Sequence, residues 1–181
     1  MPSEKIVSTT GSEIVSTADA KLYMRIDTSD DDTLIGTMIE QARIWCENYI
    51  GKDIVAKSRQ YYLEGVNNRF SIPFSPLNSI TSVTVQGVSA DYDTYGLYDE
   101  VIELNELPAQ DIIVNYTTVG MDNGLLQQAI LQLVSTYYDN RADFIVLQGV
   151  SFVKVPTEVK QILQSFKNMF ITASILRCNK T

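Results

Sequence analysis

The first candidates for chemistry in this chain are carboxylates gathered near residue 30. Four aspartates, three of them consecutive, lie between Asp27 and Asp32 and could bind a divalent cation. A calcium-binding EF-hand loop needs a glycine at its sixth position and a glutamate at its twelfth. Counted from Asp27, those positions hold Asp32 and Met38, so the match fails. The favoured interpretation is that Ser29 and Asp30 cap a helix whose positive N-terminal dipole the aspartates stabilise.

A second candidate is a carboxylate pair drawn from Glu100, Glu103 and Glu106. Paired carboxylates hydrolyse glycosides, but acids on the solvent side of a strand are far commoner. The chain has no histidine, which removes the commonest general base and metal ligand. It also has no phosphate-binding glycine motif, GxSxG nucleophile or CxxC pair, and Cys46 fits a small buried hydrophobe. We therefore predict no enzyme, no catalytic residue, no cofactor and no metal.

Charge is unevenly spread along the chain. The formal net charge is −8, and the stretch 70–140 contains nine acidic residues but no lysine or arginine. Such a surface repels phosphate, and the ten tyrosines lack the basic groove that accompanies base-stacking platforms. Sequence-specific DNA binding is therefore not expected. A surface past which DNA slides without adhering is compatible with this charge.

Length and composition favour a protein made in the cytoplasm. The 181 residues suffice for one domain with a core, and no apolar run approaches the roughly 20 residues that span a bilayer. The opening MPSEKIVSTTGSE lacks a signal-peptide core, and two cysteines fit a reducing compartment.

Helical periodicity occurs on both sides of the middle of the chain. The pattern predicts a flexible arm over 1–16 and a short helix in TADAKLYMR, with Leu22 and Ile26 turned toward the core. A longer helix then ends at Gly51, and further helices begin at Asn123 and after a Thr157 cap. One helical core is expected from the apolar stripes: Leu34, Met38, Trp45, Tyr49, Leu126, Ile130, Leu133, Ile162 and Phe166.

Between the helices the period changes to that of strands. SRQYYLEG and RFSIPF predict a hairpin across Asn67-Asn68, SITSVTVQG alternates with an irregularity near Ser82, and YDTYGLY, EVIEL and DIIVNYT follow. The expected fold class is α+β: a bundle of three to four helices with an antiparallel β-sheet inserted between the first long helix and the second. The expected boundaries are a helical core at 17–57 and 118–172, a β subdomain at 58–117 and a C-terminal tail at 173–181.

The connection 140–156 carries more apolar residues than a solvated loop tolerates. Either it packs on its own sheet, or it pairs with or inserts into a neighbouring subunit. We favour the neighbour, because Gly149 allows a bend and Pro156 ends the segment abruptly. The candidate interface residues are Phe144, Val146, Leu147, Phe152 and Val153.

The order of these pieces resembles the head–tail connector (adaptor) proteins of tailed phages. KLYMRIDTSDDDTLIGTMIEQARIWCENYIGKDI is similar to the family's opening of LRID, an acidic cluster, a helix and ENYTGR. The family's Pro-bounded strand is similar to SPLNSITSVTVQG. Its second long helix is similar to GLLQQAILQLVSTYYDNRAD, and Asn140-Arg141 match an Asn-Arg pair that has a structural role in the family. The three stretches span about residues 18–145.

The resemblance implies a structural virion protein of the phage neck, present in the host cytoplasm before assembly. It would form a homo-oligomeric ring, a dodecamer in the virion, beneath the portal protein. A stopper or other neck protein would bind below, and DNA would pass through the lumen without sequence-specific binding or a membrane. The alternatives are another neck component, such as a stopper or tail-completion protein, and a non-viral ligand-binding or regulatory module.

Replacing Phe152 with Asp tests the role of the apolar connection. If the segment is covered by a neighbour, the monomer should keep its melting temperature while ring formation on the portal is abolished. Thermal melts and negative-stain images measure the two effects. An unfolded monomer would instead assign the segment to its own core.

Overall fold

Helices and antiparallel strands combine in an α+β fold, as the sequence predicts. The computed structural model describes residues 2–96, 99–140 and 156–167. The helices described are α1 (Thr17–Met24), α2 (Asp32–Ile50), α3 (Gly124–Asp139) and α4 (Thr157–Gln164). The strands are β1 (Ser3–Thr9), β2 (Lys57–Val66), β3 (Phe70–Ser71), β4 (Leu77–Val85), β5 (Val88–Ser89), β6 (Tyr92–Tyr95), β7 (Val101–Leu104) and β8 (Ala109–Thr118).

The helix ends are fixed partly by tertiary contacts. At the start of α2 the N-cap residue is Asp31, not Ser29 or Asp30, and its side chain does not cap the helix. Instead, the Asp31 carboxylate accepts a 2.7 Å hydrogen bond from the Tyr138 hydroxyl on α3. A residue that is distant in sequence therefore binds the Asp31 carboxylate, which the capping preferences of helix N-termini would assign to the nearby amides.

The other helix ends follow local chemistry more closely. Gly51 ends α2 in the left-handed conformation, and the Asn123 side chain accepts from the Leu125 amide at the start of α3. Ser16 and Asp19 form a capping box on α1. Thr157 is not the cap of α4, since Pro156 holds that position and makes no side-chain hydrogen bond.

The helical core unites all four helices. Its fully buried members include Ile35, Leu126, Ile130, Leu133 and Leu163. Met38 is also buried there, while Trp45, Tyr49, Ile162 and Phe166 are partly buried against it. Two expectations were wrong: Leu34 is 38% and Leu22 is 81% exposed. Successive residues of α2 are rotated by about 100° about the helix axis, so Leu34 and Ile35 face different directions. Ile35 takes the inward position that the predicted apolar stripe assigned to Leu34. In the ranges described, no helix combines the length and apolarity needed to span a membrane.

A five-stranded antiparallel sheet, ordered β1-β2-β8-β4-β5, forms the second half of the fold. A smaller sheet, ordered β3-β7-β6, packs with it around a separate core that contains Val83, Ile102, Ile112 and Tyr116. The register of β4 against β8 shifts between Ile80 and Ser82, where the sequence predicted an irregularity.

Two strand predictions were wrong. Residues 3–9 form β1 rather than a flexible arm and pair with β2 along its length. The predicted hairpin of β2 with β3 is absent, because β2 pairs with β1 and β8 while β3 joins β7 in the smaller sheet. The chain leaves the large sheet after the turn at Asn67-Asn68, so the two segments do not meet.

Replacing Leu133 with Ala should lower the free energy of unfolding by about 2–5 kcal/mol, because its side chain is fully buried among the helices. Leu125→Ala is the matched control on the same helix. That side chain is 49% exposed, so a change within about 0.5 kcal/mol is expected. Urea denaturation measures both, and equal losses would contradict this packing of α3.

Candidate assembly interface and the junction behind it

Five buried charged side chains form one network between the helices and the large sheet. This ionic cluster consists of Arg43, Glu47, Asp53, Lys57 and Arg59, each no more than 4% exposed. Arg43 Nη1 lies 2.8 Å from Glu47 Oε2, and Lys57 Nζ bridges Glu47 to Asp53. Arg59 binds Asp53 through two nitrogens, Nε at 2.8 Å and Nη2 at 2.7 Å. Every cluster charge therefore has a partner of opposite sign.

The ionic cluster also satisfies main-chain and side-chain groups around it. Glu47 Oε1 accepts the amides of Ile54 and Val55 at 2.9 and 3.1 Å, which fixes the connection from α2 to β2. Asp53 Oδ2 accepts a 2.6 Å hydrogen bond from the Thr118 hydroxyl at the end of β8. The cluster thus ties the end of α2 to two strands of the large sheet.

Two outer carboxylates attach the N-terminal segment to the same network. Glu13 binds Arg43 Nε at 2.8 Å, and Glu4 on β1 binds Arg59 at 3.3 Å. Burial raises the pKa of Glu4, and the nearby positive charge of Arg59 opposes this only in part. The sequence analysis missed the network, because charged residues are usually exposed and an i,i+4 pair such as Arg43 and Glu47 is equally typical of a solvated helix face.

Backbone packing reinforces this junction. The amides of Thr10 and Gly11 donate to the Ala56 carbonyl at 2.9 and 3.1 Å. On the other side, the Met121 amide donates to the Ile54 carbonyl at 2.9 Å. A Cβ at Gly11 would lie 2.9 Å from the Ala56 nitrogen, and one at Gly120 would lie 2.7 Å from the Ile54 oxygen. Both positions need glycine because three main-chain segments approach closely there.

The shifted pKa values of the buried titratable groups fit a structural role. Burial disfavours the Asp53 carboxylate, but hydrogen bonds from Arg59 and Thr118 and the nearby cations outweigh it, so its pKa lies below the ordinary value. Burial raises the pKa of the Cys46 thiol to about 12, which keeps it protonated and unreactive at neutral pH. Among the described residues, no group of three or more His, Cys, Asp or Glu is arranged to hold a metal ion.

The sheet acids Glu100, Glu103 and Glu106 have different surroundings. Glu103 binds Arg69 at 2.9 Å, and this hydrogen bond holds its pKa below the usual range. The Glu100 carboxylate lies beside Gly96, and Glu106 lines a surface depression with Val88 and Asp91. Of the acidic run near residue 30, Asp32 accepts a 2.7 Å hydrogen bond from Lys21. The structure therefore assigns contacts, not a shared site, to these carboxylates.

Apolar side chains remain exposed at several places. Ile6 and Val7 on β1 are 51% and 57% exposed, and Val88 on β5 is 70% exposed. Leu22 borders a surface cavity of about 380 Å3 between α1 and α3. The predicted interface residues Phe144, Val146, Leu147, Phe152 and Val153 lie outside the described residues, so that prediction stays as it was. The exposed residues on β1 were missed because the segment was expected to be unstructured.

Comparison with known proteins places this fold in a family. The family model described as "Head completion protein" matches residues 13–169. The chain belongs to the head completion protein family, in agreement with the connector resemblance of its sequence. No curated protein matches the chain.

Solved structures from gene transfer agent particles share the fold. One, from the neck of an empty particle computed with C6 symmetry, has a TM-score of 0.68 and 14% identity over 91% of this chain and 95% of that chain. A second, from the virion of a native particle, has a TM-score of 0.68 and 15% identity over 91% and 94%. A third, from a native neck computed with C12 symmetry, has a TM-score of 0.61 and 14% identity over 91% and 94%.

Replacing Asp53 with Asn should destabilise the protein by about 3–5 kcal/mol at pH 7, because Lys57 and Arg59 lose a buried partner. The lowered pKa means that Asp53 stabilises the fold above about pH 4, its unfolded value, and that this contribution is lost as pH falls further. The stability difference between wild type and variant should therefore shrink below about pH 4.

Urea denaturation from pH 7 to pH 3 measures this trend. Asp91→Asn, at an exposed position, is the control and should leave stability nearly unchanged. A constant difference between wild type and Asp53→Asn over the whole pH range would contradict the assigned role.

Proposed function

We propose that this protein is a head–tail adaptor that forms a ring beneath the portal and joins the capsid to the neck or tail. The observation that carries the proposal is the family match over residues 13–169. The shared fold with chains from necks computed with C6 and C12 symmetry supports a ring, since cyclic symmetry describes closed rings of identical subunits. DNA passes through the lumen of this ring.

The charge distribution suits such a conduit. The stretch 70–140, which contains most of the two sheets and α3, carries no lysine or arginine. Acids there repel the phosphates of passing DNA and limit adhesion. Arg69, which directly precedes the stretch, is already paired with Glu103.

The proposed partners are the portal above and a stopper or other neck protein below. The subunit resides in the neck of the virion and in the host cytoplasm before assembly. It acts without catalysis, because the buried acids and bases that the structure describes are committed to one another. If so, replacing Glu100, Glu103 and Glu106 with Gln leaves assembly intact, and loss of a measured hydrolytic activity in that variant would contradict the proposal.

Negative-stain electron microscopy of the protein mixed with portal tests the adaptor function. We expect rings stacked on the portal with matching axes, and no binding to isolated tail tube. Binding to the tail tube alone would favour a stopper or tail-completion protein. A protein that stays monomeric and ignores both partners would overturn the proposal and favour the ligand-binding alternative.

A further inference from the structure

The large sheet ends in two unlike edges. On one side β1 is the outermost strand, and β2 is its single strand partner among the described residues. On the other side β5 pairs only with Thr84 and Val85 of β4. The stretch 77–82 of β4 therefore has no strand partner on its outer side among the described residues. Unpaired strand edges are ready templates for another chain.

Contacts with the rest of the subunit hold β1 in place. All seven of its residues are exposed, so the strand adds no side chain to either core. Its position is held by the ladder to β2, by the ion pair of Glu4 with Arg59, and by the amides of Thr10 and Gly11 on Ala56. The strand presents Ile6 and Val7, together with a Lys5 side chain that makes no ion pair in the described part of the chain.

The β4 edge borders a groove of complementary character. A depression of about 310 Å3 lies between β4 and β6. Its walls combine the apolar side chains of Leu77, Ile80 and Tyr92 with the polar ones of Asn78, Ser79 and Thr94. Its charged member, Asp99, accepts a hydrogen bond from the Thr94 hydroxyl through one carboxylate oxygen. The volume suits one or two aliphatic side chains, and the carboxylate suits an incoming cation.

We propose that β1 of one copy pairs with the outer side of β4 in the next copy and places a side chain in this groove. The large sheets of neighbouring subunits then join around the ring. This inference rests on the proposed ring, and it names one contact between neighbouring subunits of that ring. The seven residues of β1 match the six free residues of β4 in length, with Ile6 or Val7 entering the groove and Lys5 facing Asp99.

Symmetry favours this pairing over contact between like edges. Two β1 edges would meet in a closed dimer and bring two Lys5 side chains to one interface. Unlike edges make a head-to-tail contact, which repeats from subunit to subunit until the ring closes. The opposite charges on the two edges favour that arrangement and disfavour the dimer.

Charge reversal on the full chain tests the contact. Lys5→Glu and Asp99→Lys should each raise the protein concentration needed for half-maximal ring formation on portal by about tenfold or more, because like charges then face each other. The double variant should regain wild-type assembly. So should an equimolar mixture of the two single variants, since alternating subunits restore an opposite pair at every contact.

Lys160→Glu and Asp139→Lys are the matched controls, since both positions are exposed on helices. All variants should keep the wild-type monomer melting temperature. Single variants that assemble like wild type would overturn the inference while leaving the ring intact. Defective single variants that neither the double variant nor the mixture restores would also overturn it. A wild-type protein that forms no ring on portal would overturn both this inference and the proposed function.

Discussion

The fold depends on neutralising charge in its interior. Burying a carboxylate or an ammonium group without a partner is costly, so Glu47 and Asp53 require Lys57, Arg43 and Arg59 in fixed places. Because these side chains come from α2, from the connection after it and from β2, their mutual requirement sets the position of the helices against the large sheet. A change in that position would leave buried charges unpaired.

This constraint explains how two separate hydrophobic cores behave as one protein. The helical core and the sheet core each bury their own apolar residues. What joins them is polar, specific in geometry and nearly free of solvent. Apolar contacts tolerate small sliding motions, whereas the two-nitrogen contact of Arg59 with Asp53 holds only over a narrow range of angles. The exposed edges of the sheet are therefore held at a defined orientation to the helices.

The elements with a buried face were predictable from the sequence. The stripes of α2 and α3 and the alternation in β4 follow from the period with which side chains enter a core. The strand β1 has no buried face, so nothing in its pattern distinguished it from an arm. The prediction that Ser29 and Asp30 cap α2 was wrong for a related reason. The N-cap residue is Asp31, and its carboxylate binds Tyr138, which is distant in sequence. Among the candidate site features, Cys46 was correctly placed in the core. The ionic cluster was not foreseen, since charged residues are usually exposed and their spacing does not show which of them are buried together.

The close packing at Gly11 and Gly120 has a mechanical consequence. The connection after α2 runs between two other main-chain segments and is bonded to both. The helices and the sheet are therefore coupled directly through this hydrogen-bonded connection, without a flexible linker between them. A larger side chain at Gly11 or Gly120 would push these main-chain segments apart and make the connection between the helices and the sheet flexible.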